Sequence, residues 1–371
     1  MNIGIPKEIK DHEFRVALTP EGVAELVGHG HGVWIEHDAG QGSGFSDEDY
    51  RDMGGHVSAS KEEVFKESGL ILKIKEPLLS EMPFFESHHT LFTFLHLAAS
   101  KELTHALVNS GMTAIAYETT EDHAGRLPML LPMSQIAGRM SIQIGAHYLE
   151  RTSGGRGLLL GGVPGVRAAH VVIFGAGGVG AAAAQLAVGM GARVTVFSVD
   201  VDQLQRLEER FSVSITTLFP NRIAIEKAIR EADVLIGAAM IKGARAPQLV
   251  SRAMVASMKP GSVIIDVAVD QGGCVETIRP TTHSDPVYES EGVLHYGVPN
   301  IPGIVPVTAT HALTNATLPF IVRLADAGIK QALSADPWLA KGVNVQHGQV
   351  TYQAVAEAHG FPFVPMEPVR H

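Results

Sequence analysis

The stretch Gly175-Ala176-Gly177-Gly178-Val179-Gly180 follows an apolar, β-branched run, His170 to Phe174, and leads into the alanine-rich segment Ala181 to Met190. A strand, a glycine turn and a helix in that order can cradle a pyrophosphate. Gly175 permits the tight turn, Gly177 lets the backbone approach the anion, Gly180 lets helix and strand pack closely, and the helix N-terminus faces the negative charge. The pattern predicts nucleotide binding. In the dinucleotide version an Asp or Glu about 20 residues on holds the adenosine ribose hydroxyls, but here the next strand, Arg193 to Phe197, ends at Ser198. A serine neither grips two hydroxyls as firmly as a carboxylate nor repels a 2′-phosphate. Asp200 stands two residues further on as a substitute, and no Arg lies beside it. NAD is the expected cofactor, with NADP left open.

A few charged or polar residues sit in or just after apolar runs. Lys73 and Lys75 alternate within Leu70 to Pro77, which reads as one face of a strand; a functional pair and a lysine-guarded edge strand are both open readings. His96 ends Phe92-Thr-Phe-Leu-His96 and shares a face with the two Phe, as a functional group or as a hydrogen-bonded core histidine. Asp270 follows the run Val263 to Val269 and precedes Gly272-Gly273. The carboxyl end of a strand is where open α/β sheets place ligands, although a turn-capping Asp fits too. Asp266, inside that strand, reads as a buried structural carboxylate.

Positioning these groups requires a particular frame. From Met1 to about Pro128, apolar runs (Ile3 to Pro6, Val33 to Glu36, Gly69 to Lys75, Thr90 to Leu97, Met112 to Ala116) alternate with the helical patterns Thr19 to Gly28 and Ser100 to Asn109. Ser134 is the expected N-cap of a connecting helix, Ser134 to Arg151. The middle piece repeats the alternation with runs too continuous to be half exposed, predicting a doubly wound sheet covered on both faces. From Val307 the chain turns helical again, and this tail is expected to pack on the first piece. The expected fold is α/β, with two Rossmann-like doubly wound domains and a cleft between them: residues 1–128 with 307–371, the substrate-binding and catalytic domain, and residues 129–306, the dinucleotide-binding domain.

Composition narrows the class. At roughly 100–200 residues per domain, 371 residues allow two domains, and 45% hydrophobic against 18% charged residues describe a globular chain. Of 39 glycines, twelve lie between Gly154 and Gly191. Two charge-free stretches, Ala168 to Ala192 and Gly292 to Val322, are long enough to span a membrane, but glycines break the first and prolines the second. No signal peptide is visible, so a cytoplasmic location is expected. A net charge of −10 without a basic run argues against a nucleic-acid partner. A single cysteine, Cys274, excludes an internal disulfide. No metal is expected, and His29, His31, His88 and His89 read as loop or edge residues.

Pro6-Lys7-Glu8, Arg15-Val-Ala-Leu-Thr-Pro20, Lys73-Ile-Lys75-Glu76-Pro77, Phe92-Thr-Phe-Leu-His96-Leu97, Leu159-Leu-Gly-Gly-Val-Pro-Gly-Val166, Asp270-Gln-Gly-Gly273 and Ala312-Leu-Thr-Asn-Ala-Thr317, in this order, closely resemble the NAD-dependent L-alanine dehydrogenases. The resemblance runs from residue 1 nearly to the end, and the transhydrogenase α subunit and saccharopine dehydrogenases share its architecture without this set. It implies reversible oxidative deamination of L-alanine to pyruvate and ammonia by a homo-hexamer. Arg15 and Lys75 match the residues that hold the substrate, and His96 and Asp270 the catalytic acid/base groups. Cofactor contacts fall on Ser134, Gly178, Val179, Ser198, Ala239, Met240, Val267, Ala268, Val269, Asp270, Arg279, Val298, Pro299, Asn300 and Ile301, beside Gly175, Gly177 and Gly180 of the glycine turn. The chain departs from the family at Ser198, usually Asp, at Pro299 and Ile301, where Ala and Met are usual, and at Val307, where a cation is usual. A dehydrogenase for another amino or keto acid and a non-catalytic nucleotide sensor are the alternatives. The presence of Arg15, Lys75, His96 and Asp270 together speaks against the sensor.

Overall fold

The computed structural model describes residues 1–240 and 246–366. Two compact units divide the chain, Met1–Met133 with Gly303–His371, and Ser134–Pro302. These limits lie a few residues from the expected 128/129 and 306/307. The first falls inside one continuous helix, Leu130–Tyr148, so Ser134 is not the N-cap expected for it. Pro132 sits in the first turn, where its missing N–H costs no intrahelical bond.

In the first unit, β1 (Asn2–Ile5), β2 (Gly32–Glu36), β3 (His56–Ser58), β4 (Leu70–Leu72), β5 (Thr90–Thr93) and β6 (Thr113–Ala116) form a parallel sheet in the order β6-β5-β4-β1-β2-β3. The tail adds an antiparallel strand, Val343–Gln346, beside β6, and its hairpin mate Gln349–Val350. The helix Pro20–Gly28 starts at Thr19, whose hydroxyl accepts from Gly22 N–H (3.3 Å), with Pro20 at its first position. The tail helix Pro306–Ala327 is tied to the same region, Thr310 and Thr314 accepting the N–H of Val16 and Thr19.

In the second unit, β7 (His170–Phe174), β8 (Arg193–Phe197), β9 (Ile215–Leu218), β10 (Val234–Gly237), β11 (Val263–Asp266), β12 (Val287–Ser290) and β13 (Val293–Tyr296) lie in the order β12-β13-β11-β10-β7-β8-β9, parallel except for β12. The continuous apolar runs have the predicted cause. Val171 and Ile173 join one core cluster while Val172 and Phe174 join another, so alternate residues feed opposite faces and both are buried.

Two strands are shorter than their apolar runs. β4 stops at Leu72 and β5 at Thr93, so Lys73, Lys75 and His96 belong to the loops beyond the carboxyl ends. β4 is also interior to its sheet, which removes the edge-guard reading of its lysines. Among the described residues no helix is long and apolar enough to cross a membrane.

Candidate active site

In the first unit β1 and β4 are neighbours, and the strand order runs away from them in opposite directions. Such a switch point opens a crevice at the carboxyl ends of the strands. Glu8, just past β1, fills its floor. Its carboxylate accepts the N–H of Ile74 (2.6 Å) and of Lys75 (3.3 Å) and pairs with Lys73 Nζ (3.0 Å), which also reaches Glu81 (3.0 Å). Lys73 is fully buried. Its ammonium is therefore structural: it neutralises the two carboxylates that pin the loop carrying Lys75.

Lys75 is largely covered as well. Burial pushes its ammonium below the usual value, the Glu76 carboxylate opposes that, and the cations of Arg15 and Lys10 reinforce it. Arg15 is buried, its Nε (2.6 Å) and Nη2 forming a two-pronged bond with Glu13 and its Nη1 donating to the Met133 thioether (3.2 Å), a weak acceptor. A cavity of about 330 Å³ opens beside Arg15, lined also by Lys7, Glu8, Glu13 and Phe14. That volume suits a small molecule.

His96 is held in the left-handed region, φ 47° and ψ 36°, a conformation that persists in a histidine only when the surroundings impose it. Here Glu118 does so. It follows β6 and accepts the N–H of Leu95 (3.2 Å) and of His96 (2.7 Å). The imidazole stacks on Phe94 at 5.8 Å, has its Nδ1 4.0 Å from a Glu118 carboxylate oxygen and keeps about two-fifths of its surface exposed, so it is not a core histidine.

The second unit has its switch point between β7 and β10. The glycine turn leaves β7 there, with Gly175 at φ 105° and its missing Cβ 2.4 Å from the Ala238 carbonyl oxygen. A Cβ on Gly180 would stand 1.8 Å from Gly175 O, whereas one on Gly177 would meet nothing within 4 Å. Gly177 is also the N-cap of the helix Gly178–Gly189 and brings no side chain to its first-turn N–H groups. Two glycines are thus required by the protein's own packing, and the third leaves open space in front of an uncapped helix N-terminus. That arrangement fits a pyrophosphate.

Around the turn the expected contacts divide. Ser198 is nearly buried at the end of β8, and its hydroxyl accepts Asp200 N–H (3.1 Å). Asp200 caps the helix Val201–Phe211 through Gln203 N–H (3.0 Å), so the carboxylate expected to replace the missing acid has a structural task. Ala239 is partly covered and Met240 exposed just beyond β10, and Ser134 is partly covered. Arg279 lies 4.2 Å over the Tyr288 ring. The side chains of Ala268, Val269, Val298 and Ile301 are buried, and Val267 packs against the core. Asn300 lends its carbonyl to His283 (3.0 Å), and Pro299 is exposed beside it. This last segment offers backbone rather than side chains to a ligand.

Asp270 is exposed on a single 3₁₀ turn, Val269–Gln271, ahead of Gly272 and Gly273, both left-handed. Asp266 sets that turn. Fully buried, it accepts the N–H of Ala268 (3.0 Å), Cys274 (2.6 Å) and Val275 (3.2 Å), closing both ends of the loop. Burial raises its carboxyl to about 6, against those three bonds, with a smaller push from Asp270. Glu118, Glu13 and Glu8 were not legible as site residues: Glu118 and Glu8 act on groups more than twenty residues away, and Glu13 on Arg15 two residues on. Their one signal is position, since Glu8 and Glu118 both closely follow a strand.

With this geometry in view, the chain can be set beside known proteins. Residues 4–137 match the family model "Alanine dehydrogenase/PNT, N-terminal domain" and residues 141–353 "Alanine dehydrogenase/PNT, C-terminal domain". The chain belongs to the alanine dehydrogenase/PNT family. It is 54% identical to the alanine dehydrogenase of Methanococcus maripaludis over 99% of both chains, and 51% identical to that of Bacillus subtilis over 99% of this chain and 97% of the relative. A solved L-alanine dehydrogenase superposes with a TM-score of 0.94 at 53% identity, covering 97% of this chain and 99% of its own. A transhydrogenase from Sinorhizobium meliloti reaches 0.80 at 25% identity, covering 95% and 100%. The chain is thus an oxidoreductase of the alanine dehydrogenase type with two Rossmann-like units, acting on small molecules with a nicotinamide cofactor.

Proposed function

We propose that the chain catalyses the reversible oxidative deamination of L-alanine to pyruvate and ammonia with NAD. The observation that carries this reading is the gathering of Arg15, Lys75 and His96 at the carboxyl ends of one parallel sheet, in a chain of this family. A bound nicotinamide supplies the acceptor for the hydride of the alanine Cα–H. Arg15 and Lys75 bind the substrate carboxylate and the carbonyl oxygen of pyruvate, which only fixed cations do well. His96 takes a proton from the alanine ammonium, freeing the nitrogen lone pair before hydride leaves. His96 passes that proton to solvent. After the iminium forms, it removes a proton from the attacking water and returns it to the nitrogen, which departs as ammonia while the proton of the new hydroxyl passes through His96 to solvent. An imidazole suits this shuttle because its unperturbed pKa lies near neutrality. Asp270 orients the amine and the water and offsets the developing positive charge. Gly175, Gly177, Gly178 and Gly180 with Val179 hold the pyrophosphate, and the remaining contacts named above line the rest of the dinucleotide.

Ser198 favours a second coenzyme reading. Without a carboxylate at the end of β8 to repel a 2′-phosphate, NADP is also admitted. By its resemblance to the family, the enzyme works in the cytoplasm as a homo-hexamer, which light scattering tests as six chain masses. The test of the activity follows NADH formation from alanine, and its oxidation with pyruvate and ammonium, beside the same assays with NADP. His96→Ala and Asp270→Asn are expected to lower turnover by about 10²–10⁴, the usual range for acid/base groups, while NADH still binds. Absence of turnover with either coenzyme overturns the reading.

A further inference from the structure

Four carboxylates belong to the surroundings of Lys75, and three have clear commitments. Glu8 is bound to Lys73 and two backbone N–H groups, Glu81 to Lys73 and Leu78 N–H, and Glu13 to Arg15. The fourth, Glu76, is different. Lys10 pins its Oε1, but its Oε2 is buried and makes no hydrogen bond among the described residues. A buried carboxylate oxygen without a partner is costly unless charge nearby compensates it. Lys75 Nζ lies 3.9 Å from that oxygen.

We propose that Glu76 is the counter-ion of Lys75: a positioning residue that keeps this ammonium charged for a carboxylate-bearing substrate. The inference rests on the substrate-binding role given to Lys75 above. Lys75 is covered and stands in the field of two other cations, Arg15 and Lys10, both of which disfavour its charged form, while Glu13 and Glu76 favour it. Glu13 is bonded to Arg15 and Glu76 to Lys10, but Glu76 keeps an oxygen without a hydrogen bond among the described residues 3.9 Å from the Lys75 ammonium, and its influence there is larger than that of Glu13. Its gap to Lys75 exceeds a hydrogen bond, which leaves the ammonium protons directed at substrate instead of neutralised in a tight pair.

The sign of the effect is fixed. Without the Glu76 charge the Lys75 ammonium loses its proton at lower pH, and substrate binding fails at the alkaline end first. The direct test is the pH dependence of Lys75 acetylation by acetic anhydride, read by peptide mass spectrometry on the whole enzyme, with exposed Lys66 as internal reference. In Glu76→Gln the half-modification pH of Lys75 should fall by about one unit or more, and in Glu76→Asp by less. Steady-state assays should then show the KM for pyruvate rising about tenfold at alkaline pH with kcat changed less, and the alkaline limb of kcat/KM moved down by the same interval. An unshifted Lys75 titration in the Gln variant overturns the proposal, as does an unshifted one in the Asp variant if the Gln variant does not fold. The labelling needs no turnover. A shift in an enzyme inactive towards alanine and pyruvate would therefore sink the substrate assignment and leave the counter-ion pair standing.

Discussion

The two sheets of this chain share a strand order, β6-β5-β4-β1-β2-β3 in one unit and β13-β11-β10-β7-β8-β9 in the other, and differ in what stands where that order reverses. At the first switch point the loops carry Glu8, Arg15, Lys73, Lys75 and Glu76. At the second stand Gly175 and Gly177, with Gly180 on the helix that follows, while Asp266 ends the neighbouring strand β11 and Asp270 lies just beyond it. The same backbone crevice thus serves two kinds of recognition. A phosphate group is held by main-chain N–H groups, so its site is made by leaving side chains out. A small charged substrate is held by side chains, and each buried cation then needs an acid of its own, as Lys73 has in Glu8 and Glu81 and Arg15 has in Glu13.

That contrast can be broken by substitution. The largest effect is expected at the charged switch point, where Lys73→Met leaves Glu8 and Glu81 without their buried cation. A loss of about 3–5 kcal/mol in stability should follow, read as a lowered urea midpoint, and a midpoint near wild type would show that the pair contributes little. At the glycine switch point the cost should fall on the ligand and not on the fold. Gly177→Ala has room for its Cβ in the protein but occupies the place proposed for the pyrophosphate, so the Kd for NADH, followed by its fluorescence, should rise on the order of 100-fold, about 2.7 kcal/mol, with the melting temperature nearly unchanged. Gly180→Ala is its control and should lower the melting temperature, because its Cβ has no space.

Asp266→Asn is expected to act more weakly, with kcat reduced about tenfold, about 1.4 kcal/mol of barrier, since an amide cannot accept at both ends of the Asp270 loop. The wild-type group also has a pH signature. Its carboxyl is raised from 3.8 to about 6 in the fold, so between those values the unfolded chain ionises first and stability falls as pH rises. The Asn variant should lose this component of the stability curve, and an unchanged curve would show that Asp266 does not titrate there. The smallest change concerns Ser198→Asp: NADH should bind a few-fold tighter and NADPH weaker, a difference that competition titration resolves.

How far the site was legible follows from the same contrast. The glycine turn could be read because its three positions are adjacent in sequence and each excludes a side chain for a local reason. Asp270 is singled out by its place after an apolar run and before two glycines. Lys73 is left open by residue order. Its alternation with Lys75 resembles an edge strand, but β4 ends at Leu72, and the acids that pair with Lys73 lie at positions 8 and 81. His96 is singled out by its type at the end of an apolar run, yet its left-handed backbone is held by Glu118, which follows a different strand. Asp200 is a substitute for the missing acid by position, but its carboxylate caps the helix Val201–Phe211.

Residue order alone determined the alternation of strands and helices, the two sheets and the pyrophosphate turn, because hydrophobic period and glycine placement are local properties that need no knowledge of neighbours. Only the tertiary structure decided which charges are partners, which loop is pinned and which buried oxygen is left over. Those outcomes depend on groups brought together by the strand order from positions tens to hundreds of residues apart, and electrostatic energy depends on separation in space and on burial, not on separation along the chain.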